Sequence, residues 1–325
     1  MITKKTISLL LKIVITFLAL FFLYNQFNDK HSIQQFQDIN ILSQIKSHSS
    51  GIILVLFMMF INWFLEALKW RFLISKIEKI SIKRSLRAIF SGITVSAFTP
   101  NRIGEYGGRV FCLEKGDRGQ AVFITVIGSM SQLITTILFG SIGLWFLPMY
   151  TTDLFNMGDY IYFSYPLYIF LFIVLDVLLI FFFLNTSILS KVLSRIKIFA
   201  RYTKYIKVFS FYNAKELSKV LLYSISRYIV FSTQFFILLK LFDVDILFLD
   251  AIILIPSMFL IISIIPSIAI TELGVRGSVA ILLFGLVSSN SVGIFLATFL
   301  LWSINLFLPA LIGVFFVFTL NFFRK

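Results

Sequence analysis

Cysteine, histidine and charged residues are scarce in this chain. Its 325 residues include one Cys, Cys112, which excludes a disulfide framework within the chain. The two His residues, His31 and His48, lie in a polar stretch, so no metal site or general base built on a buried histidine is predicted. Only 14% of the residues are charged, whereas 59% are hydrophobic, with 40 Phe among them. That balance excludes an ordinary soluble domain and indicates a polytopic membrane protein.

Six apolar runs are long enough to cross the roughly 30 Å hydrocarbon core of a membrane as helices, which predicts an all-α fold. The first run begins behind Lys4 and Lys5 like a signal peptide, but Lys12 interrupts it and no small-residue cleavage site follows Tyr24. We therefore expect a retained first span. The six predicted spans are residues 7–24, 51–68, 121–147, 165–184, 220–242 and 292–318.

Two further apolar segments, residues 86–113 and 248–287, are each divided by a polar break that contains proline. The arm 86–98 is about 20 Å long as a helix, which is too short to cross comfortably. Each segment is therefore predicted to be a re-entrant hairpin of two short helices. The arm 248–265 is long enough to span, so fully spanning arms are the alternative.

Lys and Arg cluster in two polar connections, residues 69–87 and 185–219, which predicts that both connections face the cytoplasm. The connection 148–164 has no Lys or Arg and contains two Asp, so we expect it outside. Both termini are then cytoplasmic. Aromatic residues interleave with the bases of residues 191–219, and this segment is expected to lie on anionic lipid.

One short motif occurs twice. Glu105-Tyr-Gly-Gly-Arg109 returns 167 residues later as Glu272-Leu-Gly-Val-Arg276, and a proline precedes each copy. In each copy an acid and a base four residues apart share one helical face. Each copy also lies in one of the two interrupted apolar segments, where ionisable groups are costly unless they are paired or functional.

The predicted elements follow the same order in both halves of the chain: span, span, hairpin, span. The offsets agree as well, because Gly51 and Val220, which begin corresponding spans, lie 169 residues apart. With the predicted sides, the hairpins enter from opposite faces. This predicts one transmembrane domain, residues 1–325, built as an inverted repeat of halves 1–150 and 151–325, with six full spans and two hairpins.

The residues of the first motif carry a family resemblance. Thr99-Pro-Asn-Arg-Ile-Gly-Glu105, followed by Arg109, is similar to a signature of the lysylphosphatidylglycerol synthase transmembrane, or flippase-like, family, and residues 266–276 resemble its second signature. The resemblance implies movement of lipid between leaflets, as in the membrane domain of multiple peptide resistance factors. No soluble aminoacyl-transferase domain follows Phe318, so lipid aminoacylation is not expected of this chain. Asn101 replaces the usual first glycine of the signature, and lipid identity is therefore not carried over.

Each motif copy also suggests an anion site on chemical grounds. A helix that begins after each proline would present free N–H groups to a phosphate, with Asn101 or Thr271 as its N-cap. An arginine one turn later would add a two-pronged donor, and the glutamate would neutralise that arginine while the site is empty. The predicted substrate-binding residues are Arg109, Arg276, Glu105, Glu272, Arg102, Asn101, Thr271, Gly104 and Gly274.

A structural alternative is that each Glu-Arg pair only fastens its hairpin to the helix bundle. Other polar residues in the predicted spans are candidates for proton coupling, namely Asp176 and Glu66, although Glu66 is expected to pair with Lys69 and Asp176 to be either a proton carrier or a partner of Arg227. Three neutral polar residues are expected to bond neighbouring helices. These are Gln132, Gln234 and Asn305.

Three functional classes follow from these patterns. The first is a lipid translocase that moves an anionic phospholipid or a polyprenyl-phosphate-linked lipid across a bacterial inner membrane, with anionic lipids as partners. The alternatives are a carrier of small anionic solutes, and a lipid-linked transferase or accessory protein of envelope assembly. No nucleotide-phosphate motif is present, so no cofactor or metal is predicted. Nucleic acid is not expected as a partner, because positive-inside loops account for the net charge of +14, and a homo-oligomer stays open.

Overall fold

The computed structural model of the protein describes residues 21, 24, 48–97, 99, 102–150, 158–196, 202–266 and 269–318. Its regular structure in these ranges is helical, without a β-strand, as the sequence predicts. A π-helix, Ser303–Phe307, joins the last two α-helices. The α-helices in chain order are α1 Ser49–Ile74, α2 Ile82–Ala97, α3 Gly104–Val110, α4 Arg118–Phe146, α5 Gly158–Leu184, α6 Thr186–Arg195, α7 Thr203–Ile206, α8 Ala214–Leu241, α9 Phe248–Ile264, α10 Ala269–Phe284, α11 Ser291–Trp302 and α12 Leu308–Val317.

Five stretches of helix in the described part are long and apolar enough to cross a membrane. They are α1, α4 with the turn that follows it, residues 166–184 of α5, α8, and the continuous α11–α12. These coincide with five of the six predicted spans. The predicted span 7–24 lies outside the described ranges except for residues 21 and 24.

Each predicted hairpin contains a helix, a break and a second helix. In the first, α2 of 16 residues is followed by the seven-residue α3, which packs against it. In the second, α9 ends at Ile264 because Pro266 disfavours the helical conformation in the residue before it, and Ile265 has a ψ of 115°. At 17 residues, α9 is about 26 Å long and falls short of the usual 20-residue span.

The two halves interlock through equivalent elements. The last span of the first half, α4, packs on α9 of the second hairpin, and the last span of the second half, α12, packs on α2 of the first. The remaining large contact between halves joins α1 to α8, which occupy the same position in each half. Glycines allow the closest approaches, since Gly143 faces Ser257 Oγ on α9 and Gly313 faces the Phe90 carbonyl on α2.

The basic segment between α5 and α8 folds against the bundle. Phe209 and Tyr212 are buried in the hydrophobic core, where the Tyr212 hydroxyl donates to the Leu73 carbonyl at 2.7 Å. The expectation that all the aromatic residues of this segment lie on lipid is therefore wrong for these two. They anchor the segment to the end of α1 because their burial removes large apolar side chains from water.

Candidate functional site

Two glycines and one threonine place α3 on α2. A Cβ atom on Gly108 would lie 2.7 Å from the Gly92 Cα, so the two helices touch backbone to backbone at this point. The first free N–H group of α3, on Gly104, donates to Thr99 Oγ1 at 2.8 Å. This close packing directs the side chain of Arg109 from α3 into the protein interior, where it is 3% exposed.

The break before α3 contains a strained residue. Arg102 has a φ of 56°, in the left-handed region that residues other than glycine rarely adopt. From this position its Nη2 contacts both carboxylate oxygens of Glu272, at 2.8 and 3.0 Å. The contact joins residues 170 positions apart and brings the two motif copies together.

The Glu272 cluster consists of Arg102, Glu272 and Arg276. Within the second motif, Arg276 donates from Nε and Nη2 to Glu272 Oε1 at 2.8 and 2.6 Å, which is the predicted pairing one helical turn apart. Glu272 is 6% exposed and is shared by two guanidinium groups. The cluster therefore carries one positive charge more than its carboxylate neutralises.

The Glu66 cluster surrounds the first motif. Glu66 on α1 accepts from Arg109 Nη1 at 2.8 Å through one oxygen, and its other oxygen contacts Lys69 Nζ at 2.8 Å and also Arg227 on α8. Arg109 pairs in addition with Glu105, as predicted. The Glu66 cluster thus holds three cations and two carboxylates among helices α1, α3 and α8.

Neutral polar groups hold Arg227 in place. Its Nε donates to Asn62 Oδ1 at 2.9 Å, its Nη1 donates to Gln132 Oε1 at 3.2 Å, and its guanidinium lies over the Trp63 ring at 5.3 Å. Asn62 in turn donates to Asn305 Oδ1 at 3.3 Å. Asn305 lies in the π-helix, a feature that often occurs at functional sites.

A cavity of about 590 Å³ lies between the two clusters. Its charged lining residues, among those described, are Arg102, Arg227, Arg276 and Glu272. Polar groups such as Asn62, Gln132, Thr136 and Asn305 share the wall with apolar and aromatic side chains. The apolar and aromatic lining residues are Trp63, Tyr228, Phe231, Phe259, Ile262, Ile264, Ile265, Pro266, Leu301, Trp302 and Leu306.

The predicted N-caps need correction. The helix of the first motif begins at Gly104, after Asn101, which itself lies outside the described residues, and its capping bond comes from Thr99. That helix has only seven residues, too few for an anion site at its N-terminus. The helix of the second motif begins at Ala269, so Thr271 lies within its first turn rather than at its cap. The glycine of the second motif, Gly274, lies one turn before Ser278, whose hydroxyl donates to its carbonyl at 2.9 Å.

The two candidates for proton coupling differ in their partners. Asp176 accepts from Ser141 Oγ at 3.1 Å, while Arg227, its other predicted partner, contacts Glu66 instead. The predicted pairing of Glu66 with Lys69 is present, at 2.8 Å. Gln234 bonds the carbonyl of Val55 on the neighbouring α1 at 2.8 Å, as sequence reasoning expected of it.

Sequence reasoning missed the role of Arg227. It was considered only as a partner for Asp176, although an arginine inside a predicted span is costly and carries its own signal. Asn62, Glu66 and Lys69 on α1 repeat at helical spacing and would have indicated a polar face directed at such a partner. Arg109, predicted to bind substrate, is separated from the cavity by this network and is not one of its lining residues.

Comparison with known proteins gives one match. A family model described as lysylphosphatidylglycerol synthase TM region matches residues 9–313 of the chain, in agreement with the resemblance of its two signatures. No curated protein and no solved structure matches it. The matched range includes both motif copies, both charge clusters and every residue of the cavity wall.

Proposed function

Because this chain belongs to the lysylphosphatidylglycerol synthase TM-region family, whose members are membrane proteins related to lipid modification or translocation, we propose that it moves an anionic lipid between leaflets. The observation that carries the proposal is the cavity wall, where Arg102, Arg227 and Arg276 face Glu272. Guanidinium groups bind phosphate through paired hydrogen bonds. The apolar part of the same wall suits the lipid carbons that adjoin the headgroup.

The architecture supports transport by two alternating halves. The hairpin arms exchange partners between halves, α4 with α9 and α12 with α2, as an inverted repeat requires. The pairing of Arg102 with Glu272 then connects the two hairpins at the cavity. In this proposal the six spans and two re-entrant hairpins keep the sidedness expected from the basic loops, with both termini in the cytoplasm of a bacterial cell.

Binding in this scheme exchanges one partner for another. An arriving phosphate group replaces the carboxylate of Glu272 between Arg102 and Arg276, so the arginines are never left unpaired in a medium of low dielectric. The released carboxylate stays next to the same two cations. We propose Asp176 as the better candidate for proton coupling, since its described polar partner is the neutral hydroxyl of Ser141.

The cavity chemistry favours a transporter over a transferase. Glu272 is the carboxylate that lines the cavity within the described residues, and two guanidinium groups already hold it. General acid–base catalysis needs a group within reach of the reacting atom and free to exchange a proton. A carrier of small anions is the second candidate, because the same cations would bind inorganic phosphate.

The test is transfer of fluorescent phosphatidylglycerol and fluorescent polyprenyl phosphate across liposomes that contain the protein. We expect transfer by the wild type, and loss of transfer in the double variant Arg102→Gln/Arg276→Gln, which removes the cations beside Glu272. Arg195→Gln is the matched control, because Arg195 lies exposed at the end of α6. Uptake of inorganic phosphate without lipid transfer would assign the carrier function instead, and equal transfer by all variants would reduce the motifs to structural pairs.

A further inference from the structure

We propose that the cavity selects a headgroup with two negative charges carried by phosphate, over headgroups with one, none or a positive charge. The proposal rests on the anion-binding function proposed above and adds the charge of the substrate. Its basis is the charge balance of the Glu66 and Glu272 clusters, each of which has one cation in excess.

The Glu66 cluster has an excess positive charge on the cavity side. Arg227, Arg109 and Lys69 are opposed by Glu66 and Glu105 alone among the described carboxylates. Arg109 and Lys69 are buried, at 3% and 1% exposed, but Arg227 lines the cavity. A ligand therefore meets the excess charge of this cluster at the Arg227 guanidinium.

The Glu272 cluster has its excess on the same cavity. Arg102 and Arg276 share one carboxylate, that of Glu272, and all three side chains line the wall. Arg102 is the most accessible of them, with 42% of its side chain exposed. One further negative charge placed beside these arginines would balance the cluster.

One ligand reaches both clusters, because both line a single cavity. In a medium of low dielectric an uncompensated charge is costly, so the bound state is most stable when the ligand cancels both excess charges. A monoanionic phosphodiester cancels one of them. An aminoacylated headgroup with a net positive charge adds to the excess, and the described wall offers it only Glu272, which two arginines already hold.

The apolar side chains of the cavity indicate that the dianion is attached to a lipid. Ile262, Ile264, Leu301 and Leu306 line the wall together with Phe259, and they have no counterpart in the chemistry of a free phosphate ion. The shared chemistry is a phosphate dianion, and the lipid and the free ion are separated by experiment.

The test measures binding through the fluorescence of Trp63 and Trp302, which both line the cavity. Detergent-solubilised full-length protein is titrated at pH 7.5 with short-chain phosphatidic acid, whose phosphate monoester is mostly dianionic there because its second pKa is about 6. Short-chain phosphatidylglycerol, lysylphosphatidylglycerol and phosphatidylcholine are the monoanionic, cationic and neutral comparisons. We expect phosphatidic acid to bind at least about tenfold more tightly than phosphatidylglycerol, and the other two more weakly still.

Two variants change the charge balance in opposite directions. Arg227→Gln removes one excess charge, so the preference for phosphatidic acid over phosphatidylglycerol should fall to about equal binding. Glu272→Gln adds one excess charge, so the preference should rise. Arg195→Gln, outside the cavity, should leave the ratio unchanged, and thermal unfolding of each variant shows whether it is folded.

The outcomes separate this proposal from the previous one. Equal affinity of the wild type for phosphatidic acid and phosphatidylglycerol would overturn the dianion selectivity and leave the anion site intact. Binding of none of the lipids would overturn both proposals. Tighter binding of inorganic phosphate than of short-chain phosphatidic acid would overturn the lipid as the source of the dianion.

Discussion

The two copies of the Glu-x-Gly-x-Arg motif have the same spacing and different surroundings. Arg109 of the first copy is 3% exposed and pairs with both Glu105 and Glu66, away from the cavity. Arg276 of the second copy lines the cavity and shares Glu272 with Arg102. The first copy therefore braces the helix bundle, while the second forms a wall of the candidate site.

The cause of the difference lies outside the motifs. The offset of 169 residues between corresponding spans places Phe235 of α8 where Glu66 stands in α1. Phe235 is fully buried and packs edge-on against Phe284, with ring centroids 5.5 Å apart. The second arginine thus lacks a carboxylate from the neighbouring span and turns to the partner shared with the first hairpin.

The largest expected effect is on stability and would sharpen this contrast. Glu66→Gln leaves Lys69, Arg109 and Arg227 with too little opposing charge in a buried place, and such breaks cost about 3–5 kcal/mol. Glu272→Gln should cost less, on the order of 1–3 kcal/mol, because its partners face a cavity. Urea unfolding of both variants in the same detergent measures the difference, and equal losses would show that the two copies have equivalent roles.

The second prediction separates stability from transport. Arg109→Gln should lower the melting temperature strongly, since it leaves Glu66 and Glu105 without their shared partner inside the protein. Arg276→Gln should leave the melting temperature close to that of the wild type and reduce the initial rate of lipid transfer by about tenfold or more, equivalent to about 1.4 kcal/mol. The contrast fails if Arg276→Gln unfolds the protein while Arg109→Gln is stable and loses only transfer.

The third prediction concerns the packing that buries the first copy. Gly108→Ala would push a methyl group within 2.7 Å of the Gly92 Cα and should cost about 1–3 kcal/mol. Gly107→Ala is the matched control, because the nearest atom to its added Cβ is Phe111 Cε2 at 3.9 Å. Thermal unfolding of the two variants should rank them in that order, and a similar melting temperature for both would argue against the contact of α3 with α2.

The smallest predicted effect compares the loops that close the two hairpins. Glu78 accepts from the backbone N–H groups of Glu114, Lys115 and Gly116, whereas the second hairpin uses the neutral side chain of Asn290, which donates to the carbonyl of Phe242 at 2.9 Å. Burial raises the pKa of the Glu78 carboxyl, but these N–H groups and the charge of Arg84 outweigh it and hold the pKa below its ordinary value. Only the first closure is therefore sensitive to acid.

The sign of that effect follows from the lowered pKa. The stabilisation by Glu78 is fully present above the unfolded-state pKa, about 4.3, and is lost as pH falls through the lower folded-state pKa. Glu78→Gln should lower the melting temperature at pH 7, and the gap from the wild type should shrink in acid below pH 4.5 or so. Asn290→Ala should show a gap that does not depend on pH in this way, and a constant gap for Glu78→Gln would remove the ionic explanation.

Long apolar runs were enough to locate five spans, because a helix in lipid must be about 20 residues long and satisfy its own backbone. The motif spacing was enough to predict the pairing of Glu105 with Arg109 and of Glu272 with Arg276, because residues four apart on a helix are neighbours. These predictions depend on local geometry alone. The first span and the side of each terminus stay predictions.

Contacts between distant helices could not be read from the same patterns. The sequence by itself determined that ionisable residues stand in the apolar segments and which of them share a helical face. Only the tertiary structure decided that Glu66 binds Arg109 and Arg227, that Arg102 crosses to Glu272, and that one arginine is buried while its counterpart faces the cavity. The reason is that helix packing selects partners by position in space, and residues 170 positions apart carry no local signal that they will meet.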